Sequence, residues 1–127
     1  MAHRSRLAGF IIDSHSDDLD ASARFWSSAL GIAIADPDSG GTGQYAEFGG
    51  APGDLHVEVQ KVEHPSRVHL DIETDDIPAE VARLEKLGAT VDKRLERWVV
   101  MKAPSGQRFC VVRVQRDGFD EDSNRWS

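Results

Sequence analysis

The stretch "RVHLDIETDD", residues 67–76, is echoed by "GFIIDSHSDD", residues 9–18. Aligned without a gap, Asp13 falls on Asp71, Asp17 on Asp75 and Asp18 on Asp76, while Phe10, Ile12 and Ser16 fall on Val68, Leu70 and Thr74. His69 is the exception, because it falls on Ile11. Each copy opens as a β-rich run and passes into a helical pattern. Leu19, Ala23, Trp26 and Leu30 recur at helical spacing ahead of Gly31, and Ile77, Val81, Leu84 and Leu87 do so ahead of Gly88. A glycine in that place can take the positive φ that ends a helix. The paired aspartates stand where carboxylates cap free amides and suit the positive end of a helix dipole, and Pro78 fits a first turn.

Strand candidates follow each helix: "IAIAD" at 32–36, "QYAEF" at 44–48 and "LHVEVQKV" at 55–62, then "ATVDKRL" at 89–95, "RWVVM" at 97–101 and "RFCVVRV" at 108–114. The Gly-rich breaks "PDSGGTG" and "GGAPGD" and the turn "APSG" at 103–106 separate them. A length of 127 residues suits one domain with one core. The expected fold is therefore α+β, two βαβββ modules within a single domain over 1–127. Module one runs over about 7–62 and module two over about 67–114, and a polar tail occupies 115–127. Phe119 and Trp126 are the residues able to pin that tail.

Composition narrows the partners. With 22 acidic and 15 basic side chains the formal net charge is -7, which disfavours nucleic acid and anionic membrane surfaces. No apolar run approaches a membrane span, and the apolar part of "MAHRSRLAGFII" stops at Asp13 without a small-residue cleavage site, so no secretory signal is expected. One cysteine allows no intrachain disulfide, which suits a cytoplasmic location.

The doubled unit, with "DDIPAEVARLEKLGATV" and "WVVMKAPSGQRFCVV" in its second copy, resembles the vicinal oxygen chelate superfamily, and within it the glyoxalase-like, bleomycin-resistance-like branch. The resemblance covers roughly residues 7–114. It implies curved mixed sheets around one cleft and, as in many relatives, a homodimer. Metal-dependent members hold a divalent ion such as Zn, Ni, Mn or Fe by one ligand on the first and one on the last strand of each module, usually two His and two Glu. Carried over residue by residue, His69 matches the histidine of the second module's first strand. Its counterpart in the first module is Ile11 by the internal repeat or Gly9 by the family pattern, and neither side chain can ligate. Glu58 is an available acid on the first module's last strand, although Gln60 is the alternative aligned residue. Cys110 occupies the place of the final glutamate.

Each candidate has a second reading. His69 is a metal ligand, a general base or a cleft-lining residue, and Glu58 is a ligand, a proton-transfer base or a solvated carboxylate on an alternating strand. His56 and Gln60 share the face of Glu58. Cys110, without a Lys or His beside it in its strand, reads as a buried inert thiol. Trp98 offers a ligand a flat wall or fills the core, Trp26 reads as core and His15 as surface. The ligand-binding set is thus His56, Gln60, His69, Trp98 and Cys110, with Glu58 and His69 as catalytic candidates and as an incomplete metal set. The leading expectation is a protein that sequesters or senses an apolar or aromatic small molecule and requires no cofactor. The alternatives are a metal-dependent lyase, isomerase or dioxygenase using His69 and Glu58, and an interaction protein with an empty cleft.

Overall fold

The helices begin where the aspartates allow them to. In the computed structural model, which describes residues 2–127, Asp18 accepts from the Ala21 N–H at 3.0 Å and Asp76 from the Ala79 N–H at 3.1 Å. These contacts cap α1 (Leu19–Leu30) and α2 (Ile77–Lys86). Gly31 closes α1 with a φ of 69°, a conformation costly for any residue with a Cβ. α2 stops short of its sequence stripe: Leu87 is the cap residue and is 66% exposed, because the chain turns away at Gly88, whose φ is 106°.

The strands are β1 (His3–Ser14), β2 (Ala33–Asp36), β3 (Tyr45–Gly49), β4 (His56–Lys61), β5 (Arg67–Thr74), β6 (Thr90–Arg94), β7 (Val99–Lys102), β8 (Arg108–Arg113) and β9 (Asn124–Trp126). With the two helices they make a mixed α+β fold. Two compact units divide the chain, one of Gly9–Val68 and one in which the residues through Ala8 join His69–Ser127. β1 runs through both. Among the described residues no helix is long and apolar enough to cross a membrane.

In the unit of Gly9–Val68 the strand order is β2-β3-β4-β1. β1 and β4 are parallel, with Gly9 opposite His56, Ile11 opposite Glu58 and Asp13 opposite Gln60, while β3 is antiparallel to both of its neighbours. Parallel strands need a crossover, and α1 lies within it, covering one face of the sheet. Ile12, Ala46, Phe48, Val57 and Val59 point to that side and pack with Ala23 and the partly buried Leu19 and Trp26. Alternation sends Ile11, Asp13, Glu47, His56, Glu58 and Gln60 to the other.

The second unit repeats the plan as β5-β8-β7-β6, with β5 and β8 parallel and Asp71 opposite Cys110. α2 covers Val99, Met101 and Val111 through Val81 and Leu84, with Ile72, Val91 and Phe109 at the margin. Met101 is fully buried, a burial that contributes roughly 1.5–3 kcal/mol.

Two buried carboxylates tie further chain segments into this unit. Glu73, 0% exposed, accepts from Arg6 Nε at 2.8 Å, Arg116 Nε at 3.0 Å and the backbone N–H groups of Gln115 and Arg116 at 2.6 and 3.1 Å. Arg6 also donates to the carbonyls of Arg116, Asp117 and Gly118 and lies 5.4 Å from the ring centre of the buried Phe119. Glu80, equally buried, takes both Arg83 Nε and Nη2 at 2.8 Å, and His3 Nε2 lies 2.7 Å away. Arg83 stacks 4.0 Å from the centre of the Trp126 ring, and Trp126 Nε1 donates to Ser5 Oγ at 2.8 Å. The tail is therefore held at both Phe119 and Trp126, and β9 adds an antiparallel rung, His3 opposite Trp126.

Burial pushes the Glu80 carboxyl up, but hydrogen bonds from Arg83, His3 and Ser5 together outweigh it and hold the group below the ordinary carboxylate range. A depressed folded value gives stability that is complete above the unfolded value, about 4.3, and is lost as pH falls through the folded one. Wild type should therefore exceed Glu80→Gln by about 3 kcal/mol at neutral pH, the scale for breaking a buried pair. Urea unfolding across acidic pH checks it: the gap should hold down to about pH 5 and narrow below about pH 4.

Candidate functional site

In the unit of Gly9–Val68, the face away from α1 is polar but internally paired. Glu58 Oε1 lies 2.7 Å from His56 Nε2, Gln60 donates to the Tyr45 hydroxyl at 3.2 Å, and Ser39 Oγ to Glu47 at 3.3 Å. Asp13, 2% exposed, is 3.5 Å from Arg67 Nε. His56, Glu58 and Gln60 share this face as the alternation of β4 requires, each partly buried between the buried Val57 and Val59.

Two positions on this face carry no donor. Ile11 is 4% exposed, and a Cβ added at Gly9 would lie 1.8 Å from the His56 carbonyl oxygen. Only a glycine lets β1 and β4 approach this closely, so no ligating side chain fits at position 9.

The corresponding face of the second unit is different. His69 and Asp71 are two residues apart on β5, and the register sets Cys110 beside Asp71 and Val100 beside Cys110. His69, Asp71 and Cys110 each place a donor atom within 4.8 Å of the other two, and His69 Nε2 stands 3.4 Å from Asp71 Oδ1. The sequence suggests a thiol among hydrophobes, and the structure adds polar neighbours to it. Cys110 is partly buried and faces an imidazole and a carboxylate that lie far from it in sequence but adjacent across the parallel ladder. Trp98 is partly buried just ahead of β7, in the turn closed by the Leu95 N–H on its carbonyl at 2.9 Å, and lies in phase with Val100.

Asp71 was missed as a site residue, although its place two residues after His69 in a strand was a readable signal that both share a face. Parallel registers also identify the counterparts in the two copies. Asp13 opposes Gln60 as Asp71 opposes Cys110, so Gln60, and not Glu58, occupies the position of the thiol. His15 is exposed, and Trp26 lies against the core beside α1's Phe25, their rings edge to face at 5.0 Å. Two imidazoles and two carboxylates, the set that suits a six-coordinate hard ion, are not available at the four expected positions. Those positions hold Gly9 or Ile11, Glu58 or Gln60, His69 and Cys110.

The sequence profile of a glyoxalase-like domain matches residues 9–112, and the chain belongs to that family. No curated protein matches it significantly. Among solved structures, a hypothetical protein from Bacillus halodurans is similar over 90% of this chain and 97% of its own, at 12% identity and a TM-score of 0.61. A glyoxalase/bleomycin resistance protein/dioxygenase superfamily member from Vibrio splendidus is similar over 87% and 99%, at 14% identity and a TM-score of 0.55. At such identities the likeness is one of fold.

The approach of β1 to β4 yields a direct check. Gly9→Ala should destabilise the protein by roughly 3 kcal/mol, the upper part of the range for overpacking, because the obstacle is backbone and cannot rotate aside. Chemical denaturation measures it; a loss below about 1 kcal/mol would mean the strands separate at little cost.

Proposed function

We propose that this glyoxalase-like protein binds an apolar or aromatic small molecule, to sequester or sense it, and does not act through the four-ligand metal centre. The observation that carries this reading is the closure of position 9 by the His56 carbonyl together with the apolar Ile11, which removes a quarter of such a ligand set. Binding without a metal needs an apolar surface and a few fixed polar groups. Val100 and Trp98 supply the first, and His69, Asp71 and Cys110 supply the second, on one face of the second unit. Strands hold these side chains, so little order has to be gained on binding.

A second reading, a metal-dependent lyase, isomerase or dioxygenase using His69 and Glu58, is favoured by the convergence of His69, Asp71 and Cys110. The two readings separate in one experiment. Protein stripped with chelator is titrated with a panel of aromatic and apolar compounds and followed by tryptophan fluorescence, with and without zinc, nickel, manganese or iron(II). The binding reading expects the same affinity with and without chelator, and a loss of about 1–3 kcal/mol in Trp98→Ala, the scale of one buried apolar side chain. Affinity that appears only with a metal, accompanied by turnover that Glu58→Gln abolishes, would replace it with the enzyme reading.

A further inference from the structure

We propose that His69, Asp71 and Cys110 form a binding site for a thiophilic divalent cation, zinc above all, built entirely from the second copy of the repeat. The three donors are an imidazole nitrogen, a carboxylate oxygen and a thiol sulfur, and each comes from a strand. Asp71 and Cys110 face each other across the parallel pair β5–β8, with His69 one step back on the same side of β5. Their donor atoms lie within 4.8 Å of one another. In a tetrahedral zinc site with bonds of about 2.0–2.3 Å the ligand atoms stand roughly 3.3–3.8 Å apart. Side-chain rotation of about 1 Å therefore closes the set around an ion without moving the strands.

A second observation also points to a cation. Asp71 is 6% exposed, and its Oδ1 receives no hydrogen bond among the described residues, although it stands 3.4 Å from His69 Nε2. A buried carboxylate oxygen whose ion-pair partner, the His69 ring, stands beyond good hydrogen-bond distance is costly, and an ion held between the two would satisfy both. The neighbouring charges are already committed. Glu73, next on the same side of β5, is saturated by Arg6, Arg116 and two backbone N–H groups, and Arg108, two residues before Cys110, is held by Asp92 at 3.0 Å.

The donor set selects the ion. Magnesium, manganese and calcium prefer oxygen ligands, whereas a thiolate with an imidazole favours zinc and similar soft or borderline ions. Three protein ligands leave a fourth position open to water or to a ligand atom, the pattern of reactive zinc sites. In the first copy the matching positions are Ile11, Asp13 and Gln60, which offer neither imidazole nor thiol, so one ion per chain is expected. This site goes beyond the binding reading above: an ion held by these donors would stand in for their direct contacts to a small molecule while leaving Trp98, just ahead of β7, and Val100 available, so it is tested with metal alone.

The test uses the full chain and metal alone. Protein freed of metal is titrated with cobalt(II) under reducing conditions, and near-ultraviolet absorption is followed for the thiolate-to-cobalt charge-transfer band. One equivalent should saturate the band and zinc should abolish it by displacement. Cys110→Ser should lose it while keeping the far-ultraviolet circular dichroism of the wild type. His69→Ala and Asp71→Asn should weaken zinc binding at least about a hundredfold, the upper end of what even an outer-sphere partner costs. His15→Ala, at an exposed histidine, should change nothing. A folded wild type that takes up neither ion stoichiometrically overturns the proposal. So does a band that survives in Cys110→Ser, or one that depends on Glu58.

Discussion

Parallel pairing between the first and last strands of each copy is the constraint from which the rest of the structure follows. Two parallel neighbours cannot be joined by a tight turn, so the chain must cross over, and each crossover contains a helix that covers one face of the sheet. The covered face takes Val57 and Val59 in one unit and Val99, Met101 and Val111 in the other. The uncovered face is then free to be polar, and the same register that builds the core lines up Ile11 with Glu58 and Asp71 with Cys110. Core and candidate site are two sides of one ladder.

Buried charge does a different task. Glu73 and Glu80 are fully buried, and each is compensated by guanidinium groups and further donors that could not all be matched in an alternative packing. Such pairs add little net stability over a well-packed apolar core, but breaking one leaves an uncompensated charge. Their effect here is to fix where distant segments lie. Through Glu73 the turn at Arg116–Gly118 is held against Arg6, and through Glu80 and Arg83 the ring of Trp126 is held near His3. A polar, acidic tail with two aromatic residues is thereby ordered without a hydrophobic core of its own.

Duplication has left the two copies chemically unequal. In the first, the site-facing positions pair among themselves: His56 with Glu58, Gln60 with Tyr45, Asp13 with Arg67. In the second, His69, Asp71 and Cys110 converge, with their donor atoms within 4.8 Å of one another. The difference begins with single residues. Gly9 admits β4 so closely that its own position is closed to side chains, and Ile11 is enclosed where the second copy has an imidazole.

Local signals determined much of this protein before any coordinates. The repeat, the capping aspartates, Gly31 and the strand alternation specify two βαβββ patterns, because capping, positive φ and side-chain period act between residues near in sequence. The same alternation placed His56, Glu58 and Gln60 on one side of a strand. Apart from Asp71, whose place two residues after His69 is a local signal, the features not legible in the sequence depend on contacts between residues far apart in it. The pairing of Asp71 with Cys110, the equivalence of Gln60 with the thiol, the enclosure of Glu73 by Arg6 and Arg116, and the short strand at Asn124–Trp126 require a register across a crossover or a docking of distant segments. Periodicity determines which face a residue takes. Which residue faces it from the next strand is decided only when the strands pair.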